Sequence, residues 1–417
     1  MSRGARRDAP PHPELAVAVA ASAFSMTPTE RRASAWLASV YALRMLGLFL
    51  ILPVFAIYGR NLPGGQEAYL IGLGISIHGL TQAMFQIPFG AASDRFGRKP
   101  VIIAGLIVFS LGSAVAAMAT TIPGIIVGRA IQGAGAISAA VAAFVADSTR
   151  DEVRTKAMAM VGASIGVTFA FSLVAAPPLT AWIGLSGLFW LTAALGCACT
   201  AVILWAVPAA PLHEETPEPL RHGDVLFHPQ LLRLNIGVFV LHVCQTALFV
   251  VVPTLLVSRG ALPAPEHWMV YLPVLVASFL LMLPPMIAAE KRGQLRAVFL
   301  AAIALLFVAL ISAPALKLHA LAGLVTFLLL FFIAFNLLEA MQPSLVSRIA
   351  PPHVKGFAMG VYNTTQAFGL FLGGIVGGAF AKRFGDNMVF YVCAALAAFW
   401  FVAAYSMTPP PARKKEN

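Results

Sequence analysis

Glu339 is the one carboxylate set deep inside an apolar stretch of this sequence, Phe335-Asn336-Leu337-Leu338-Glu339-Ala340. A carboxylate in such surroundings needs a basic partner or takes up a proton. Either condition suits a group that binds a proton on one side of a barrier and releases it on the other. A permanent structural ion pair would use the same residue, and the sequence leaves both readings open. Arg44 is the expected competing charge that expels the proton. It lies about ten residues into its own apolar stretch, roughly 15 Å deep at ~1.5 Å per residue. His78 falls at a similar depth, which makes Glu339, Arg44 and His78 the expected proton-coupling set.

Other polar side chains form stripes at helical spacing. Tyr41 pairs with Arg44, and His78, Gln82 and Gln86 follow at i, i+4 and i+8. His242 pairs with Gln245, Asn336 with Glu339, and Tyr362 with Gln366. Residues three or four apart share a helix face. Each costs free energy in lipid, so all are expected to face the interior and line a substrate cavity.

Three further segments combine small and charged residues. Gly90-x-x-x-Asp94-Arg95-Phe96-Gly97-Arg98-Lys99 reads as a tight turn between two helices, with Gly97 permitting the turn and Gly90 permitting close helix approach. Asp94 suits the positive end of another helix, and Arg98 is expected to pair with Asp147. Arg129-Ala-Ile-Gln132-Gly133-Ala-Gly135-Ala136 puts an arginine and a glutamine on one face, with glycines for tight packing beside them. Arg129 serves either a wet cavity or a purely structural hydrogen-bonding role. Gly162-x-x-x-Gly166 and Gly369-x-x-x-Gly373-x-x-x-Gly377 are small-residue ridges that allow close helix packing.

These groups need a scaffold, and the composition states what kind. Fifty-nine per cent of the 417 residues are hydrophobic, 11% are charged, and the mean hydropathy is +0.84. Soluble domains carry about 25% charged residues, so the apolar surplus must face lipid. Apolar stretches long enough to span ~30 Å of hydrocarbon are expected at 34–57, 69–92, 100–120, 122–146, 156–178, 186–208, 232–257, 268–289, 297–315, 319–347, 356–381 and 388–407. A polar linker at 209–231 divides these twelve into six-helix halves, 34–208 and 232–408. Tails at 1–33 and 409–417 flank them. The first tail imitates a signal peptide only loosely, its apolar piece being short, and Met26 is an alternative start.

The net charge of +11 is a topology signal. With the amino terminus placed in the cytoplasm, 21 Lys and Arg fall on the cytoplasmic side. Five fall outside (Arg60, Arg259, Lys317, Lys382 and Arg383), and Arg44 and Arg129 within the membrane complete the 28. The positive-inside rule then puts both termini in the cytoplasm, and no nucleic-acid partner is expected. The four cysteines sit in apolar runs and read as core residues, so no metal site is expected. The halves also echo each other: Glu290-Lys291-Arg292-Gly293 repeats the turn at 94–98 at an offset of 196, and Lys355-Gly-Phe-Ala-Met359 parallels Arg154-Thr-Lys-Ala-Met158 at 201. Such repeats are what a duplicated transporter half leaves.

The 90–99 segment resembles motif A of the major facilitator superfamily, and Arg129 to Ala136 resembles its motif B. The segment 162–178 resembles motif C of the antiporter branch, with Ser172 and Ala176 where glycine is usual. Leu43-Arg44-Met45-Leu46-Gly47-Leu48-Phe49, the run from His78 to Gly90 and Phe335 to Ala340 are similar to the drug:proton antiporter branch, most of all to YajR-type bacterial transporters. The likeness covers most of residues 34–408. It implies an all-α integral membrane fold and alternating access about a central cavity. It also implies a motif A latch whose partner lies near Lys355-Gly356, and a monomer in the bacterial inner membrane. The C-terminal soluble domain some members carry is expected to be missing. The expected function is proton-coupled efflux of small amphipathic compounds, with proton-independent or symport-type transport of a specific metabolite as the alternative. No H-E-x-x-H, Walker or nucleophile-elbow pattern supports an enzyme, and no cofactor is expected.

Overall fold

The computed structural model describes residues 26–208, 226–316, 321–350 and 355–408. Most of the expected linker and of both tails lies outside these residues.

In lipid a chain must satisfy its backbone hydrogen bonds within itself, and here it does so with helices. The first half comprises α1 Pro28–Asn61, α2 Ala68–Phe96, α3 Arg98–Met118, α4 Ile122–Asp147 and a continuous helix, Asp151–Trp205. The second comprises α7 Pro229–Ser258, α8 Trp268–Lys291, α9 Leu295–Ser312, α10 Leu321–Ile349, α11 Lys355–Phe384 and α12 Asp386–Tyr405. Thr27 starts α1 through a capping box: its hydroxyl accepts from the Glu30 amide while the Glu30 carboxylate accepts from the Thr27 amide.

Eleven helices among the described residues are long and apolar enough to cross a membrane, where the sequence predicts twelve crossings. The difference lies in Asp151–Trp205. Its apolar part, Met160–Trp205, is 46 residues long, or ~69 Å at ~1.5 Å per residue, twice what one crossing needs. Gly184 breaks its direction with φ of +71°, a backbone conformation open chiefly to glycine. The expected helices at 156–178 and 186–208 are therefore two crossings, α5 (151–183) and α6 (185–205), joined without a polar loop.

The duplication extends to the backbone. Gly97 and Gly293, at the expected offset of 196, both have positive φ, +90° and +67°. Gly184 has its counterpart 201 residues on in Gly385, with φ of +82°.

Inside the first half α1 packs on the α5–α6 helix, α2 on α4, and α3 on α4. Inside the second, α9 packs on α10 and α12, α8 on α10, and α7 on α11 and α12. The halves meet mainly through α2 against α11. Small residues allow this. A Cβ on Gly72 would sit 2.0 Å from the Gly374 carbonyl oxygen, and one on Gly378 would sit 2.5 Å from that of Ala68. Another ridge of α11 faces its own half, where a Cβ on Gly369 or Gly373 would lie 2.6 or 2.5 Å from the Phe239 or Val243 carbonyl oxygen. The contact with α2 lies toward the face that carries the α1–α2 and α11–α12 turns, where Lys382 also pairs with Glu67 across the halves. Toward the opposite face, Gly162, Gly166 and Gly360 look into open space. The close packing expected along Gly162-x-x-x-Gly166 is thus not made in this state.

Candidate functional site: two polar networks inside the bundle

The first network is built on two buried arginines. Arg44 on α1 has no solvent-exposed surface. It donates to Gln82 Oε1 on α2 at 3.2 Å, to the Gly135 carbonyl at 3.2 Å and to Ser138 Oγ at 3.5 Å. The Gly135 carbonyl is available because α4 breaks there, between Ile122–Ala134 and Ser138–Asp147. The Phe109 ring lies 5.4 Å from the Arg44 guanidinium carbon, within cation–π range.

Arg129 on α4 donates to the Gly74 and Ile75 carbonyls of α2 at 3.1 and 2.8 Å, to Gln132 Oε1 at 2.9 Å and to His78 Nδ1 at 2.8 Å. His78 Nδ1 stands between that guanidinium and the Ile75 carbonyl at 3.0 Å, accepting from the first in one tautomer and donating to the second in the other. Gln132 passes the chain on to Ser113 Oγ of α3 at 2.8 Å. Gly133 permits this contact, since a Cβ there would lie 2.1 Å from Thr81 Oγ1 and 2.2 Å from the His78 carbonyl. Arg129 thereby ties three helices together with polar groups and no carboxylate partner among the described residues.

The second network lies in the other half. His242 on α7 donates from Nδ1 to the Val238 carbonyl at 2.9 Å, so its Nε2 accepts from the Gln366 amide of α11 at 2.7 Å. The same amide donates to Glu339 Oε1 on α10 at 3.4 Å. Glu339 Oε2 stands 3.6 Å from His242 Nε2 and has no hydrogen-bond partner. The Glu339 side chain is 32% exposed against 5% for His242, while its unpaired Oε2 is itself buried, on the side of the imidazole. Asn336, one turn away, donates to Ser278 Oγ at 3.0 Å. Tyr41, Gln245 and Tyr362 are buried, and the Tyr362 hydroxyl and both Gln86 amide atoms have no partner.

This arrangement corrects one expectation. Among the described residues no contact joins Glu339 to Arg44 or His78, and the basic group facing Glu339 is His242. Arg44 is held in the first half by acceptors already turned toward it, and His78 is engaged by Arg129. The expected trio is divided between the two networks.

An aromatic block that the sequence reading missed links the halves. Phe169 of α5 meets Phe49 of α1 at 5.1 Å between ring centroids, and Phe249, Phe332 and Phe335 of the second half at 6.3, 6.4 and 5.9 Å. Phe327, Phe331 and Phe335 stack at i, i+4 spacing, and Glu339 is the next residue in that series. The spacing was visible in the sequence; the partner on α5 was not.

At the turn after α2, Gly97 reverses the chain, and Arg98 donates to Asp147 Oδ2 at 2.6 Å and to Ser93 Oγ at 2.8 Å, the pairing expected for Arg98. Arg95 lies over the Phe96 ring. Gly90 does not serve the expected close approach, because a Cβ there would lie an ordinary 3.5 Å from that of Ala139. The side chains of Asp94 and of its expected partners at Lys355-Gly356 lie outside the described residues. A clamp absent from the sequence reading closes the same end: Glu30 accepts from the Arg150 amide and guanidinium at 2.9 to 3.2 Å. Of the cysteines expected in the core, Cys197 is exposed, on a face of α6 turned outward.

A family model described as Major Facilitator Superfamily matches residues 37–374 and 234–417. The chain is 46% identical over 392 residues to the inner membrane transport protein YajR of Escherichia coli (strain K12), covering 93% of this chain and 86% of that one. It is 28% identical over 357 residues to the multidrug resistance protein MdtH of Proteus mirabilis (strain HI4320), covering 80% and 83%. Its fold matches, with a TM-score of 0.70 at 14% identity, the structure of a bacterial homolog to the human lysosomal transporter Spinster in an inward-facing and occupied conformation, over 92% of this chain and 98% of that one.

Proposed function

This chain belongs to the major facilitator superfamily, a multi-pass transporter of the inner membrane and not an enzyme, and on that premise we propose that it is a proton-coupled efflux antiporter of small amphipathic compounds. The observation that carries the reading is the Glu339 carboxylate, whose side chain is partly exposed while its buried Oε2 is left unpaired beside His242 and Gln366. Such a side chain reaches open space and keeps a hydrogen-bonding site to fill. The multidrug resistance name of a relative similar over four fifths of this chain supports the efflux direction.

Alternating access follows from the duplicated halves. The packing of α2 against α11 on the turn-bearing face, with Gly162, Gly166 and Gly360 without neighbours toward the other, supports a state closed at the first face and open at the second. With both termini in the cytoplasm, as the charge distribution indicates, the cavity opens to the cytoplasm. The Gly90–Lys99 segment then acts as a latch for the opposite state, Asp94 engaging the start of α11. Asp94→Asn is expected to lower transport without impairing insertion, checked by comparing uptake and yield of the purified protein.

The decisive test uses protein in liposomes with an internal pH dye, an imposed proton gradient and a panel of amphipathic compounds. Substrate-dependent proton flux that vanishes in Glu339→Gln supports the proposal. Substrate movement without proton flux, equal in both proteins, overturns the coupling and makes the chain a carrier of a specific metabolite.

A further inference from the structure

We infer that His242 is a second proton site of the coupling centre and that Gln366 relays its protonation to α11, an inference that rests on Glu339 being the proton carrier. The geometry fixes the starting state. His242 has its Nδ1–H spent on the Val238 carbonyl and its Nε2 lone pair occupied by the Gln366 amide at 2.7 Å. The imidazole is neutral, and its Nε2 faces the free Glu339 oxygen at 3.6 Å.

A proton that reaches Glu339 from the open side can pass on. The Glu339 O–H bond breaks and a His242 Nε2–H bond forms, leaving an imidazolium beside a carboxylate. The new N–H then points at the nitrogen of the Gln366 amide, donor against donor. A buried contact of that kind cannot stand, and the amide must turn to present its oxygen or withdraw. The two protonation states of His242 therefore require two arrangements of Gln366.

Gln366 lies on the helix best placed to carry the message. One ridge of α11 packs on α7, which carries His242, and Gly374 and Gly378 pack on α2 of the other half. The contact with α2 is the one that closes the turn-bearing face. No other group competes for the role. Glu339 and the Phe335 ring face His242 from α10 and Gln366 faces it from α11. Among the described residues no hydrogen bond or ion pair reaches it from α1, α2 or α12, the other helices packed on α7. His78, the alternative histidine, is enclosed in the other half, its Nδ1 between the Arg129 guanidinium at 2.8 Å and the Ile75 carbonyl at 3.0 Å.

The test needs no known substrate. Full-length protein in detergent is titrated between pH 8 and pH 5, and bound protons are counted against buffer. The same samples carry spin labels at Tyr69→Cys and Phe384→Cys, exposed positions on α2 and α11, with Cys197 replaced by Ser. Wild type is expected to show a pH-dependent distance between the labels. His242→Gln is expected to bind one proton fewer and lose that dependence. Gln366→Leu is expected to keep the proton count and lose the dependence. Wild-type proton uptake in His242→Gln, or a wild-type distance change in Gln366→Leu, overturns the inference. If His242→Gln is not monodisperse, the Gln366→Leu result decides alone. Absence of substrate-driven proton flux in liposomes would overturn the antiport reading, a separate result from either of these.

Discussion

The two halves share a backbone plan and use it oppositely. Each places a polar pair where its first and fourth helices meet: Arg44 with Ser138 in one, His242 with Glu339 in the other, and Ser138 and Glu339 are themselves 201 residues apart. In the first half the ion is a fully buried cation held by a carbonyl, an amide and a hydroxyl, with only its Nε unpaired. In the second the ion is a carboxylate with an unpaired oxygen, partly exposed, beside a ring that can change its charge. Unpartnered buried atoms occur in both halves, on Ser76 and Gln86 in the first and on Tyr271, Gln342, Tyr362 and Trp400, more numerously, in the second. The same duplicated frame thus yields one half whose polar groups lock helices together and one whose polar groups remain free to respond.

The sharpest way to break this contrast is Arg129→Leu. It removes the donor from Gln132 Oε1 and from the second lone pairs of the Gly74 and Ile75 carbonyls, which keep their helical bonds. Gln132 Oε1 is left unmet in the interior at about 1–3 kcal/mol, besides the packing lost around a fully buried side chain. Thermal unfolding in detergent is expected to show loss of several kcal/mol or failure to fold, whereas Glu339→Gln is expected to unfold like wild type while losing proton flux. If both variants proved equally unstable, the division between locked and responsive halves would fall.

A smaller effect comes from paired glycine substitutions. Gly133→Ala drives a methyl into the His78 carbonyl and Thr81, and is expected to cost about 1–3 kcal/mol by forced repacking. Gly162→Ala enters open space and is expected to leave the melting temperature unchanged. The smallest effect is expected at the Glu67–Lys382 pair, where both side chains are half exposed and such pairs contribute about 0–1 kcal/mol. Glu67→Lys is expected to raise thiol labelling of a Ser76→Cys reporter slightly, at a buried position of α2 that faces Gly374, and adding Lys382→Glu is expected to reverse it.

Much of this was legible in the sequence because it is local. Spans follow from apolar length, the Arg129–Gln132 contact from i, i+3 spacing, and the turn at Gly97 from its residue types. Even Arg98 with Asp147 could be anticipated, since both lie at one end of the same half. What failed was pairing over long separations. Arg44 seemed the natural partner of Glu339 because opposite charges at similar depth attract on paper, but the carbonyl freed by the break in α4 at Gly135 has no signature in residue types. The bridge from Phe169 to Phe249 and the clamp of Glu30 on Arg150 were hidden for the same reason, as tertiary neighbours with no shared periodicity.

The joined α5–α6 helix bears on how the protein is made. From Ala157 to Leu220 the chain offers no Lys or Arg, so the insertion machinery meets the whole 46-residue apolar run without a charged stop between its two crossings. The reversal at Gly184 must be made by the nascent segment itself, as a hairpin entering the bilayer in one step. Its orientation is left to the basic residues that flank it, Arg150, Arg154 and Lys156 before and Arg221 after. A bulky residue at position 184 would then act twice, by straining the finished turn at its positive φ and, during synthesis, by prolonging one helix where the membrane requires two.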